Sequence, residues 1–236
     1  MEIGEILSDA LVYPAHNIKA LAIYIVLGII LGIAIAGTMV GITASIAAEN
    51  LLAIIGSGII GIIIALFIGF IITGYELDIV KYGIERDPGS PGIDFVRQFI
   101  NGVKFFVVYI VYMIIPIIIS AILAVVFQHW LSSIITTIVS IVFALALMMG
   151  QCRLAKTEDL GYALAIGDAI GDISRVGIVK LILFIVLIFI IEFVLFFIVI
   201  LITQWNSIVG GILLGILGVY ITFFVARATG LLYSDV

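Results

Sequence analysis

Apolar residues in this chain gather into six long runs, at roughly 20–42, 51–74, 103–126, 131–150, 178–203 and 208–226. A helix needs about 20 apolar residues to cross a hydrocarbon core, and each run reaches or approaches that length. The breaks within successive pairs are short and polar: Ala48-Glu49-Asn50, Gln128-His129-Trp130 and Gln204-Trp205-Asn206-Ser207. The runs therefore pair as three hairpins. The expected fold is an all-α, polytopic membrane bundle of six transmembrane helices.

Between the hairpins the pattern changes. Ile3–Val12, Ile93–Ile100 and Ala163–Ile173 mix apolar and polar residues, with the apolar ones three and four apart. That spacing marks one face of a helix. Helices of this kind can lie in the membrane interface with the apolar side down. A lysine then marks the start of each odd-numbered span: Lys19, Lys104 and Lys180. These three are candidate interface anchors, their stems apolar and their amines reaching the headgroups. Tyr24 and Tyr109 follow the first two lysines at the same distance, where the third unit has Ile185. Order and spacing recur together, so the chain reads as three copies of interfacial helix, span, tight turn and span. The units are about 1–80, 81–160 and 161–236 of one membrane domain.

The cationic residues are Lys19, Lys81, Arg86, Arg97, Lys104, Arg153, Lys156, Arg175, Lys180 and Arg227. All fall near the termini or the two long connections, and none in the three short breaks. The positive-inside rule then puts both termini and the long loops in the cytoplasm of a cell-membrane protein. Trp130 and Trp205 fall at the opposite tips, where indole rings suit the headgroup level.

Composition agrees. Of 236 residues, 65% are hydrophobic and 11% charged, against about 25% charged in soluble domains. The net charge of −5 carries no basic footprint for nucleic acid. One cysteine, Cys152, allows no internal disulfide and no thiolate zinc site. His16 and His129 lie far apart. No cofactor or metal is expected. The opening Met1-Glu2-Ile3-Gly4-Glu5 has no basic region before the first apolar run. It is not expected to be a cleaved secretory signal.

Gly74-Tyr75-Glu76-Leu77-Asp78-Ile79-Val80-Lys81, a proline-bearing loop and then Phe99-Ile100-Asn101-Gly102-Val103-Lys104 resemble an archaeal and bacterial integral membrane family, domain of unknown function 4013. The opening Ile3–Ala10 followed by Tyr13-Pro14 resembles that family's start. The likeness covers most of the chain and is clearest at about 70–120. The family's loop after the second span usually has a Leu-Pro-hydrophobic-aspartate pattern; here Asp87-Pro88-Gly89-Ser90-Pro91-Gly92-Ile93-Asp94 is looser. The resemblance implies an integral membrane protein of archaeal type and no particular activity.

Glu192 stands inside the fifth run. Twelve residues past Lys180 puts it about 18 Å into the bilayer. An ionised carboxylate there costs at least about 2–3 kcal/mol. It is expected to be protonated, or turned to other spans or water. Counted from the lysines, its counterparts are Leu31 and Pro116. A proline removes a backbone donor and kinks a helix. Glu192 and Pro116 are therefore expected to border a small polar site. The plainer reading is a protonated acid bonded to one neighbouring hydroxyl or carbonyl.

Gly28/Gly32, Gly37/Gly41 and Gly211/Gly215 have the four-residue spacing that lets helices approach closely. They are candidate packing positions, within the bundle or between copies. Asp168, Asp172 and Arg175 read as a solvated face with an intrahelical pair. Cys152 reads as a small filler. His16 near Glu5 and Asp9 is the one hint of chemistry at the interface.

The reading favoured by these features is a noncatalytic assembly or scaffold component. Its partners would be membrane lipids and another copy or another membrane protein. The alternative is binding or transport of a lipid or small hydrophobic solute near Glu192 and Pro116.

Overall fold

The structure is a computed structural model and describes residues 1–126 and 130–236. Among these residues the chain is all-helical. In order the helices are α1 (Ile3–His16), α2 (Ile18–Ala47), α3 (Leu51–Ile84), α4 (Phe95–Val126), α5 (Trp130–Thr157), α6 (Leu160–Ala163), α7 (Ile166–Val176), α8 (Ile178–Trp205) and α9 (Ser207–Tyr233). Six of them, α2, α3, α4, α5, α8 and α9, are long and apolar enough to cross a membrane.

The return helices of the outer hairpins start on asparagine caps. Asn50 Oδ1 accepts from the Ala53 N–H at 3.1 Å, and Asn206 Oδ1 from the Val209 N–H at 3.1 Å. Each cap satisfies a first-turn donor that the helix itself leaves unbonded. The expected break at Gln128-His129 lies outside the described residues.

The helices run past the apolar stretches that predict them. α3 continues to Ile84, α5 to Thr157 and α9 to Tyr233, while α4 starts at Phe95. Hydropathy marks where the membrane ends, and a helix continues until the backbone turns out of it, as at Glu49 and Glu158 with positive φ. Past Gly74, α3 runs through Gly83 to Ile84, and the turn-forming Pro88, Gly89, Pro91 and Gly92 follow in the loop. The 34 residues of α3 span about 51 Å, against about 30 Å of hydrocarbon. The bundle therefore projects from the membrane at one end.

Two short helices precede spans as separate elements. α1 joins α2 through Asn17, and α7 joins α8 through Gly177. Gly177 has φ +96°, which a side chain would resist. The expected interfacial helix at 93–100 is not a separate element. Its residues are the first turns of α4, capped by Asp94 Oδ1 on the Val96 and Arg97 N–H groups, both at 3.1 Å. The helix runs on unbroken through Gly102 and Lys104. The apolar faces of α1 and α7 are taken up by protein: Ile6, Leu7, Ala10 and Tyr13 pack with α9, and Ala169 and Ile173 with α5. Positions matched by the lysine register differ too. Tyr24 is buried, while Tyr109 and Ile185 are exposed.

Packing concentrates at the end that carries the termini. There the return helices α3, α5 and α9 meet. Tyr24 stacks on Tyr75 at 4.1 Å between centroids and meets Phe223 edge-on. Its hydroxyl donates to Gln98 Oε1 at 2.7 Å. Ion pairs tie the same end together. Asp235 accepts from the Met1 amine at 2.9 Å, pairs with Arg86 and lies 3.7 Å from Lys180. Arg227 meets Asp9 at 2.8 Å, and Lys81 meets Glu158 at 2.9 Å. Both termini and both long loops thus share one end. Towards the hairpin tips, Ile33, Met39, Leu52, Ile60, Trp130 and Trp205 are exposed.

Glycine packing falls elsewhere than the spacing suggests. A Cβ on Gly28 would meet Val219 at 3.4 Å and one on Gly41 would meet Ser57 at 3.3 Å. A Cβ on Gly32, Gly37, Gly211 or Gly215 would meet nothing within 4 Å. Spacing defines a stripe but not the direction it faces, and these four face away from neighbouring helices. Close approaches include Gly74 on the Gln98 backbone, Gly102 on the Phe70 backbone, Gly83 on Gly230, Gly61 on Thr38 and Gly210 on Thr203. They join α3 to α4, α9 and α2, and α8 to α9.

Candidate functional site

α9 presents Thr222, Val225, Ala226 and Thr229 on one helical face. α3 brings Glu76 to that face, α5 brings Gln151 and α8 brings Glu192. Together with Ile221 these residues line a cavity of about 280 Å³. Two carboxyls, a carboxamide and two hydroxyls thus face one space, with Glu192 and Thr222 inside their apolar runs and Glu76, Gln151 and Thr229 just past the ends of theirs. No Lys or Arg lines it.

One flank of this cavity is open. α8 packs mainly on α9, with smaller contacts to α7 and α1, and has no comparable interface with α5. Glu76, Gln151 and Glu192 are accordingly only part-buried.

Among the described residues, none of the five polar side chains has a hydrogen-bond or ion-pair partner in the protein. The plainer expectation for Glu192, a bond to a neighbouring hydroxyl or carbonyl, is therefore not met. Threonines in apolar helices usually return their hydroxyl to the carbonyl four residues back. Thr38 does so to Ala34 at 2.7 Å, and Thr203 to Val199 at 2.9 Å. Thr229 does not, although it is only 4% exposed. Its hydroxyl is left for the cavity.

Pro116 is not part of this site. It is buried in α4, which packs on α3 and α5, whereas α8 packs on α9. Its carbonyl accepts from Ser120 Oγ at 2.6 Å. Counting from the lysines equates depth but cannot tell on which side of the bundle a residue falls. That is why the expected pairing of Glu192 with Pro116 fails and Glu76 takes its place.

The anchor lysines have separate surroundings. Lys104 Nζ donates to the Glu158 carbonyl at 2.8 Å, and Lys180 joins the Asp235 cluster. Lys19 lines a different cleft, of about 400 Å³, with His16, Asn17, Ser90, Pro91 and Gly92. His16 is not assembled into an acid–base group. Glu5 accepts from the Glu2 N–H at 3.0 Å, and Asp9 is held by Arg227. Among the described residues no three His, Cys, Asp or Glu side chains converge on a metal position.

Asp172 corrects the expected solvated face. It is 0% exposed and accepts from Arg153 at 3.0 Å, Arg175 at 3.0 Å and Tyr233 at 2.7 Å. Arg153 also reaches Asp168 at 3.2 Å. The i, i+3 pair predicted within α7 does form, but α5 and α9 cover it. Outside the spans, the Lys81 hydrogen bond holds the Glu158 carboxyl below the usual carboxylate range. The N-terminal amine does the same for Asp235. Cys152 is fully buried, as a filler would be.

Glu76, Gln151, Thr222 and Thr229 were not legible as site residues. For Glu76 a signal existed: no breaker separates it from the second apolar run, so it belongs to the span helix and not to the loop.

Residues 58–204 match the family model described as a protein of unknown function, DUF4013. The matched stretch contains Glu76, Gln151 and Glu192, while Thr222 and Thr229 lie beyond it. No curated protein and no solved structure matches the chain.

Proposed function

The chain belongs to the DUF4013 family, and from that premise we propose that it is a noncatalytic multipass protein of the cell membrane that binds or passes a small solute. The site is the cavity between α3, α5, α8 and α9. One observation carries this reading: Glu76, Glu192, Gln151, Thr222 and Thr229 face a common space with no protein partner among the described residues. An unpaired carboxyl inside the apolar run of α8 is costly, and a function that needs Glu192 there explains its presence. The termini and long loops are cytoplasmic in this reading. The ion-paired end of the bundle supports that orientation, since it carries the cationic residues.

The test is native mass spectrometry of the protein released from lipid nanodiscs. Wild type is expected to carry a bound small molecule that the Glu76→Gln/Glu192→Gln variant loses. Equal bound mass in both, lipids aside, overturns the reading.

A second reading, a self-assembling scaffold component, is supported by Gly32, Gly37, Gly211 and Gly215, which meet no neighbour where a Cβ would stand. Small residues of this kind admit another helix closely. Gly32→Leu and Gly215→Leu would then shift a defined oligomer to monomer in nanodisc sizing, and an unchanged size removes the scaffold reading.

A further inference from the structure

Resting on the reading of this cavity as a ligand site, we propose that the ligand carries an organic ammonium group. It is a cationic amphiphile that reaches Glu76 and Glu192 from the bilayer through the open flank between α5 and α8.

Charge comes first. The lining holds two carboxyls and no cationic side chain. An anionic ligand would face like charge in a medium that screens it poorly. A neutral lipid would leave the carboxyls without a counter-charge. A cation supplies that charge at a site that reaches into the apolar run of α8 through Glu192.

Hydrogen-bonding capacity agrees. An ammonium offers N–H donors only and needs acceptors. Besides the carboxylates, the cavity provides the Gln151 carbonyl and the hydroxyls of Thr222 and Thr229. Thr229 is the strongest pointer. It is 4% exposed, lines the cavity and keeps its hydroxyl out of the usual bond to the carbonyl four residues back. The residue is buried but its hydroxyl stays accessible from the cavity, so it is open to a ligand's N–H.

The apolar part of the lining separates an organic cation from a bare metal ion. Ile221, Val225 and Ala226 form one wall. A divalent cation gathers about six to eight oxygens at about 2.3–2.6 Å, which makes a small and wholly polar cage. A cavity of about 280 Å³ with an aliphatic wall suits a headgroup with carbon attached. Among the described residues α5 and α8 share no substantial interface to close the flank between them. A hydrocarbon tail can stay in lipid through that flank while the ammonium sits inside.

The experiment is equilibrium binding of radiolabelled dodecylamine to the full chain in phosphatidylcholine nanodiscs, with empty nanodiscs subtracted. Dodecanol, dodecyl sulfate and calcium chloride serve as competitors. Glu76→Gln and Glu192→Gln preserve side-chain shape, and unchanged elution and melting confirm that they fold. Val225→Trp fills the cavity from a half-buried position. Saturable dodecylamine binding is expected. Each Gln variant should weaken it by about tenfold or more, as for one partner lost from a desolvated charge pair. Dodecanol and dodecyl sulfate should compete poorly. If all three amphiphiles bind alike, are insensitive to the Gln variants and are blocked by Val225→Trp, the ammonium proposal falls and the cavity reading stands. If calcium displaces dodecylamine with equal sensitivity to both Gln variants, the site is a metal site and the proposal falls. If dodecylamine does not saturate, or Val225→Trp leaves its binding unchanged, both the proposal and the cavity reading fall.

Discussion

The guanidinium of Arg153 on α5 meets the carboxylate of Asp172 on α7 at 3.0 Å, with 2% and 0% of the two side chains exposed. This pair ties the second long connection to the bundle. Tyr233 of α9 donates to the same carboxylate. A buried charge without its partner costs far more than the pair contributes. Asp172→Ala is therefore expected to destabilise the protein by about 3–5 kcal/mol. Thermal melting in nanodiscs measures this, and a shift no larger than that of an exposed control such as Glu2→Ala would contradict it.

Gly74 and Gly32 should respond oppositely to the same methyl group. At Gly74 the new carbon would overlap the Gln98 backbone of α4, while at Gly32 it would meet nothing. Gly74→Ala is expected to lower stability by about 1–3 kcal/mol through forced separation of the helices. Gly32→Ala should be neutral, within about 0.5 kcal/mol. Equal melting temperatures for the two variants would place the tight helix contact elsewhere.

The acid limb of the stability profile should depend on Glu158. The folded protein holds this carboxyl below its usual range, chiefly through the Lys81 hydrogen bond. A depressed carboxylate contributes stability that is complete above the unfolded value, about 4.3. That contribution is lost as pH falls through the lower folded value. Stability is expected to be flat near neutrality and to decline below about pH 4. Glu158→Gln should lower the neutral plateau slightly, because the pair is partly exposed, and shrink the acid decline by the same small amount. An acid limb identical to wild type would show that the Lys81–Glu158 bond does not survive in solution.

Orientation is tested with single cysteines. Glu49 sits between α2 and α3 at the hairpin end, and Asp87 sits in the loop at the opposite end. With cytoplasmic termini, Glu49→Cys is labelled by a membrane-impermeant maleimide on intact cells, and Asp87→Cys only after permeabilisation. The native Cys152 is fully buried and should stay silent. The reverse labelling pattern would invert the topology.

Much of this architecture is legible in the chain because the bilayer imposes it. An apolar run long enough to cross has few other fates, so six runs become six spanning helices. Where those helices stop is not legible from hydropathy. Glu76, Leu77 and Asp78 look like the end of a span, yet α3 continues through Gly83 to Ile84. Glu192 stands out because nothing polar surrounds it in sequence. Its companions did not stand out, because each belongs to another helix. Only packing tells that Glu76, Gln151 and Thr229 fall on the side of α8 while Pro116 falls on the side of α3 and α5. The lysine register misled for the same reason, since it measures depth and carries no information about azimuth.

The most direct test of the central claim is a cryo-EM map of the wild-type protein in native-lipid nanodiscs beside the Glu76→Gln/Glu192→Gln variant. The account predicts an ordered density in the wild-type cavity, between Glu76, Glu192 and Thr229, that is absent from the variant. A wild-type cavity closed by side chains, or the same acyl-chain density in both maps, would contradict it.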